Sequence, residues 1–344
     1  MHKAPDSIPV LIVGGGPVGL ALAGDLGWRS QNCLLVEESD GSIYQPRQDL
    51  VGIRTMEFCR RWGLVPAVEA APYPRDVPQD NVYVTSLCGY ELGRERFPSM
   101  GADRPPSVSP QKRERCPQNM FDPILRAFAA SHGGVELRYR TRLVSFVQDG
   151  DGVTAELEDL AENRRYHVRT RAICGCDGAR SLVRETLGIA MQGNPALTYT
   201  TNVIFRCPDL VALHDKGEAY RFIILGPEGT WATIVAINGR DQWRFSIIGG
   251  AEPHELSQDE IHAAIRAERS RSGQAQGTGR VPDEARSDQE VASGRNGRRR
   301  CDSTLDAPQQ HTRQQRHRDD DIAGNIIVMY PAVRSLLDDV SRHQ

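Results

Sequence analysis

The stretch Leu11–Leu26 reads LIVGGGPVGLALAGDL: an apolar run, a glycine turn, then a helical pattern. Pro9–Val13 is short and continuously apolar, which predicts a strand buried on both faces in a parallel sheet. Pro17–Trp28 places Leu20, Leu22, Ala23 and Leu26 on the apolar faces of a helix. Cys33–Val36 supplies a second apolar strand that ends in Glu37-Glu38, completing a βαβ unit. The turn within it is Gly14-x-Gly16-x-x-Gly19. The first glycine permits the tight turn, the second admits a pyrophosphate, and the third lets helix and strand pack closely. Free N–H groups and the positive dipole end of the helix then face the phosphates. Glu37, at the end of the second strand, is placed to accept ribose hydroxyls and disfavours a 2′-phosphate there. FAD or NAD therefore fits this turn better than NADP. The competing reading is a glycine turn kept for packing alone.

A chain of 344 residues can build two domains. A formal net charge of −3 gives no reason to expect a nucleic-acid partner. No apolar run approaches the roughly 20 residues a membrane helix needs. Ile8–Val13 is not expected to act as a signal sequence, because only Lys3 is basic before it, Asp6 intervenes and Gly14 breaks the run. A cytoplasmic protein is expected. The eight cysteines lack metal-type pairs, and Cys174-Gly175-Cys176 reads as small apolar residues at a strand end. No metal site is expected.

Further along, Thr55–Gly63 reads as a helix closed by glycine, and a proline-rich connection follows. Val82–Leu87 and Tyr90–Phe97 suggest a hairpin. Gln118–Ser131 is helical. Strands are expected at Val135–Tyr139, Arg142–Gln148, Val153–Leu157, Tyr166–Arg169 and Arg171–Cys176, the last ending at Asp177-Gly178. The turn Asp149-Gly150-Asp151-Gly152 joins two of them. From Tyr199 to Ile248, TNVIFRC, YRFIILG, TWATIVAI and WRFSIIG alternate with turn residues, as in an antiparallel sheet. Gln258–Ala267 reads as a helix. Arg269–Asp321 contains no aromatic residue and few large aliphatics, so disorder is expected there. Pattern returns at Ile322–Asp339.

Three blocks occur in order: VLIVGGGPVGLALAGDLG, RCPQNMFDPILRAFA and CDGARSLVRETLGI, with PRQDLVGIRTMEFCRRWGL as a fourth. Together they resemble the class A FAD-dependent aromatic monooxygenases of the phenol hydroxylase and para-hydroxybenzoate hydroxylase type, over roughly Pro9–Gly250. The resemblance implies an α/β fold: a Rossmann-like FAD-binding domain of the glutathione-reductase type with an antiparallel β-sheet substrate layer. It divides the chain into residues 1–75 and 108–190 for FAD, 76–107 and 191–267 for the substrate layer, and a degenerate or disordered tail, 268–344.

By the same resemblance Gly14, Gly16, Pro17 and Gly19 hold the FAD pyrophosphate and Glu37 the adenosine ribose. Arg47 faces flavin or nicotinamide phosphates, or is a solvated loop arginine. Arg115 and Gln118 contact the ribityl and phosphate region, with an N-terminal capping role as the other reading of Gln118. Asp177 and Gly178 serve FAD and the nicotinamide cofactor, and Asp177 also suits a helix cap. Arg54 serves the flavin or pairs with Glu57. The implied reaction uses NAD(P)H to reduce FAD and O2 to hydroxylate a small aromatic or phenolic substrate through a flavin C4a-hydroperoxide. Substrate-contact candidates are Tyr199, Phe222, Ile224, Trp231 and Trp243, each also readable as core. No phenol-activating base is assignable. His214 and His254 read as surface histidines. Self-association is left open.

One departure stands out. In this family the antiparallel layer is followed by a strand, Gly-Asp and a proline- and glycine-rich loop beside the flavin ring. Here Gly-Asp occurs only at Gly24-Asp25 and Gly150-Asp151. Arg269–Asp321 is expected to be a shifted reading frame or degenerate segment, with FAD retention weakened and hydroxylase activity low. The alternatives are a non-catalytic flavoprotein remnant and an NAD-dependent dehydrogenase.

Overall fold

The computed structural model describes residues 7–191, 193 and 199–249, and the backbone of 327–329. The expected helix at Gln258–Ala267, the segment Arg269–Asp321 and His254 lie outside the described residues. Two compact units share the chain: Met1–Ala71 with Pro106–Gln192 and Asp306–Gln344, and Pro72–Pro105 with Gly193–Leu305.

The first unit is built on β1 (Ser7–Val13), α1 (Pro17–Trp28) and β2 (Cys33–Glu37). β1 and β2 run parallel, and β2 pairs in parallel with β7 (Val135–Tyr139). Both faces of β1 and β2 are buried, which explains their unbroken apolar sequences. Val10, Ile12 and Leu35 pack with Leu20 of α1 and with Phe121 and Leu125 of α4 (Gln118–Ala130). Leu11, Val13, Leu34 and Val36 join Phe146 and Leu157 from the meander formed by β8 (Thr141–Asp149) and β9 (Gly152–Asp159).

Tyr166–Arg169 and Arg171–Cys176 are not two strands but one, β10 (Arg164–Gly175). Nothing between them favours a turn, and different halves of the strand use different partners. Arg164–Thr170 pairs antiparallel with β9, while Arg169–Gly175 pairs in parallel with β1. Its far end also pairs antiparallel with a three-residue strand at Ile327–Met329. Two short strands, β3 (Leu50–Val51) and β6 (Glu114–Arg115), pair antiparallel, and α2 (Ile53–Arg61) and α3 (Val65–Glu69) follow β3. After β10 the chain forms a 3-10 turn at Gly178–Arg180 and the one-turn helix α5 (Leu182–Thr186).

The second unit is a six-stranded sheet. β4 (Asn81–Val84) and β5 (Glu91–Glu95) form the hairpin expected from sequence. β11 (Thr200–Arg206), β12 (Arg221–Gly226), β13 (Gly229–Ala236) and β14 (Gln242–Ile248) form an antiparallel set in the order β11-β14-β13-β12. The exception to antiparallel pairing is β4 against β12, which run parallel. Alternation puts Val82, Phe222, Ile224, Ile234, Trp243 and Phe245 in one core on one face of the sheet.

Candidate functional site

The glycines of the turn after β1 have three different physical reasons to be glycine. At Gly14, φ is +107° and a Cβ would lie 2.4 Å from the Cys176 carbonyl oxygen. At Gly19 a Cβ would lie 1.9 Å from the Gly14 oxygen, so helix and strand could not close up. Gly16 differs. Its backbone is extended, at φ −74° and ψ −177°, and a Cβ there would meet nothing within 4 Å. Among the described residues the space beside Gly16, at the start of α1, is open. Pro17 opens that helix, no side chain caps it, and its first turn carries no acidic residue. Its N-terminal N–H groups and positive dipole end therefore face that space with no capping side chain and no first-turn acid among the described residues to answer them.

Glu37 is held against this turn. Its Oε2 accepts from the Gly15 N–H at 2.6 Å and its Oε1 from the Ser39 N–H at 2.8 Å. Each oxygen keeps a further lone pair, so the carboxylate is oriented and can still accept hydroxyls.

The loop between β2 and β3 carries Arg47, whose side chain is exposed. Its backbone N–H donates to Gln118 Oε1 at 3.1 Å, while Gln118 Nε2 donates to Asp122 Oδ2 at 3.0 Å. Gln118 is the first residue of α4, yet no side chain caps that helix. Its side chain bridges to the loop instead. Arg115 on β6 is buried and pairs with Asp49 of the same loop at 3.1 Å. The structure thus brings Arg115, Gln118 and the Arg47 loop together, with Arg115 neutralised by Asp49. Arg54 makes the ion pair with Glu57 at 2.8 Å and lies over the Phe58 ring.

Asp177 follows β10, beside the first turn: the Cys176 N–H donates to the Val13 carbonyl. Asp177 Oδ2 receives a long hydrogen bond of 3.4 Å from Val183 N–H in α5, and Ser181 is the residue whose side chain caps that helix. Asp177 Oδ1 is buried and unpartnered among the described residues. Gly178 has φ +77°, and a Cβ on it would meet open space. Burial disfavours the thiolate of both neighbouring cysteines, pushing the Cys174 thiol up to about 11 and Cys176 higher still. Among the described residues no group of three or more His, Cys, Asp or Glu could hold a metal ion.

A bound anion at the Gly16 opening, a diol on Glu37 and a donor for Asp177 Oδ1 are what this geometry asks for. A family model described as "FAD binding domain" matches residues 7–292 of the chain. The chain belongs to this FAD-binding family. It is 36% identical over 200 residues to 2,4-dichlorophenol 6-monooxygenase of Delftia acidovorans, covering 57% of this chain and 34% of that protein. It is 35% identical to an aklavinone 12-hydroxylase of Streptomyces peucetius subsp. caesius, covering 66% of this chain and 46% of the relative. A solved structure of the rebeccamycin biosynthetic enzyme RebC with reduced flavin superposes with a TM-score of 0.69 at 34% identity, covering 77% of this chain and 49% of that one. The chain thus spans less than half the length of these relatives. Membership makes FAD the dinucleotide, and the open Gly16 cradle with the orphaned Asp177 oxygen fits that cofactor. An NAD-dependent dehydrogenase has no support among these relatives.

In the second unit the substrate-contact candidates fare unevenly. Phe222, Ile224 and Trp243 are buried core, and Trp243 Nε1 donates to the Cys207 carbonyl at 3.0 Å. Trp231 packs against the same core, edge-on to Phe245. Only Tyr199 stands apart from that core. His214 is not a surface histidine either: its Nδ1 accepts from Lys216 N–H, its ring packs edge-on to Phe222, and burial lowers its pKa. The opposite face of the sheet, which the sequence reading did not single out, is largely polar. There Tyr83, Ile223, Thr233, Ser246 and Asn202 are successive cross-strand neighbours. Ser246 Oγ donates to Asn202 Oδ1 at 2.6 Å, and burial with the Glu95 carboxylate beside it raises the Tyr83 phenol pKa. The alternation of these polar residues with the core residues was the available signal.

Proposed function

We propose that this chain holds FAD for a monooxygenase that hydroxylates a phenolic or other small aromatic substrate, with NAD(P)H as reductant and O2 as oxygen source. The observation that carries the FAD part is the open space at Gly16, over an uncapped helix start and beside an oriented Glu37. The oxygenase part rests on relatives that are monooxygenases and hydroxylases of aromatic compounds.

In this reading, Gly14 and Gly19 close the turn, and the α1 N–H groups bind the pyrophosphate at Gly16. Glu37 takes the ribose hydroxyls, Asp177 Oδ1 accepts a hydrogen bond from the cofactor, and Gln118 keeps the Arg47 loop in place. FAD, when bound, supplies the electron transfer and oxygen activation. The rank Tyr83–Thr233–Ser246–Asn202 supplies hydroxyl and amide groups for the oxygens of an aromatic substrate.

The test supplies FAD to the purified chain and measures NAD(P)H oxidation against a panel of phenols under isotopically labelled O2. Substrate-stimulated oxidation with one labelled oxygen in the product would support the oxygenase part and overturn the expectation of low activity. Bound FAD without product from any phenol would remove the oxygenase part and leave the FAD part standing.

A further inference from the structure

Gln118, Asp122 and Arg126 are spaced four apart on α4 and so share one face of that helix. The two outer members each hold the loop after β2. Gln118 Oε1 accepts from Arg47 N–H, and Arg126 donates to the Gly41 carbonyl at 2.6 Å while lying 4.5 Å from the Tyr139 ring centroid. Gly41 itself is fitted to that contact: its φ is +78°, and a Cβ would lie 2.3 Å from the Arg126 guanidinium. Asp122 lies between the two, 1% exposed, with Oδ2 accepting from Gln118 and Oδ1 unpartnered among the described residues.

The chemistry of the contact is directional. A carboxylate only accepts and a backbone N–H only donates. With Asp122 on one side and Arg47 N–H on the other, one orientation of the Gln118 amide satisfies both. We propose that Asp122 is a positioning residue of the nucleotide site, setting the Gln118 amide so that its oxygen holds the Arg47 backbone and fixes the loop that borders the cofactor phosphates. The part concerning the cofactor rests on the FAD reading above; the contact itself does not.

A donor–acceptor exchange tests it. Gln118→Glu removes the donor to Asp122 and, at a pH well above the Asp122 value of about 6, sets two carboxylates against each other. Asp122→Asn keeps an acceptor for Gln118. The double variant, Gln118→Glu with Asp122→Asn, reverses the pair: the amide introduced at position 122 donates to the carboxylate introduced at position 118. That carboxylate still accepts from Arg47 N–H. Both substitutions are nearly isosteric. Two readouts apply: hydrogen exchange of the Arg47 amide in the cofactor-free protein, and FAD and ADP affinity from titration. Asp122→Asn is expected to bind within about twofold of the parent. Gln118→Glu is expected to lose Arg47 protection and bind about tenfold more weakly, the scale of one broken buried hydrogen bond. The double variant is expected to recover both. A double variant no better than Gln118→Glu, or a Gln118→Glu protein with Arg47 still protected, would overturn the proposal. Recovered protection with neither nucleotide bound by any variant or by the parent would overturn the FAD reading, and with it the functional half of the proposal, while the contact survives.

Discussion

Two turns lie side by side at the ends of β1 and β10, and they are finished differently. The turn at Gly14–Gly19 is closed by the protein itself: two of its glycines are forced by atoms 2.4 and 1.9 Å away, and both oxygens of its carboxylate, Glu37, accept backbone N–H groups. The turn at Asp177-Gly178 is only half closed. Its glycine faces open space, and its carboxylate has one long hydrogen bond and one buried oxygen without a partner among the described residues. The difference teaches that a glycine or a carboxylate in a nucleotide site has to be read by what surrounds it. Gly14 and Gly19 are held by the fold, whereas the Cβ position of Gly16 and the Oδ1 of Asp177 meet no partner among the described residues, and the proposed function gives them to the ligand.

Substitutions can break that distinction. Gly19→Ala is expected to have the largest effect, because a methyl group at 1.9 Å from a backbone oxygen must push α1 from β1. A loss of about 3 kcal/mol in urea unfolding is expected, in the upper range for overpacking. An unfolding midpoint unchanged from the parent would show that the turn is looser than described.

Asp122 sharpens the comparison with a third carboxylate. Burial pushes its carboxyl up to about 6 from 3.8, with the Gln118 hydrogen bond and the Arg126 charge pulling the other way. The folded protein therefore binds this proton more tightly than the unfolded chain does. Stability from this group is fully present below about pH 4 and falls as pH rises towards 6, by up to about 3 kcal/mol for a gap of about two units. Asp122→Asn is accordingly expected to be more stable than the parent at pH 8 and equal to it near pH 4. The same difference at both pH values would contradict a raised carboxyl.

Gly16→Ala should separate fold from function. Its dihedral angles suit alanine and its Cβ position is empty, so stability is expected to change by less than about 0.5 kcal/mol. Affinity for FAD is expected to fall about tenfold or more, since the methyl group occupies the space left for the pyrophosphate. Gly178→Ala is expected to cost about 1 kcal/mol in urea unfolding, for a positive φ with no clash.

Much of this was legible in the sequence where a single local cause decides the structure. The βαβ unit, α1 at Pro17–Trp28 and the four antiparallel strands follow from apolar run length and turn residues, which depend on near neighbours. The continuity of β10 was not legible, because its two halves differ only in which distant strand they meet. Gln118 was visible as a candidate, but its bridging role depends on Arg47 and Asp122, which tertiary contact alone brings to it. Asp122 itself gives no signal in sequence, since an aspartate on a helix is ordinarily exposed. Of the two readings open to the aromatic candidates of the second unit, the core reading holds for Phe222, Ile224, Trp231 and Trp243, because in an amphipathic sheet large apolar residues mark the core and the polar alternates the other face.

The central claim is that the Gly16 turn holds the diphosphate of FAD, and competition by ADP tests it most directly. ADP should displace FAD from the parent protein, and Gly16→Ala should weaken both ligands in parallel at unchanged stability. Failure of ADP to compete, or a Gly16→Ala protein that binds FAD as the parent does, would contradict the claim.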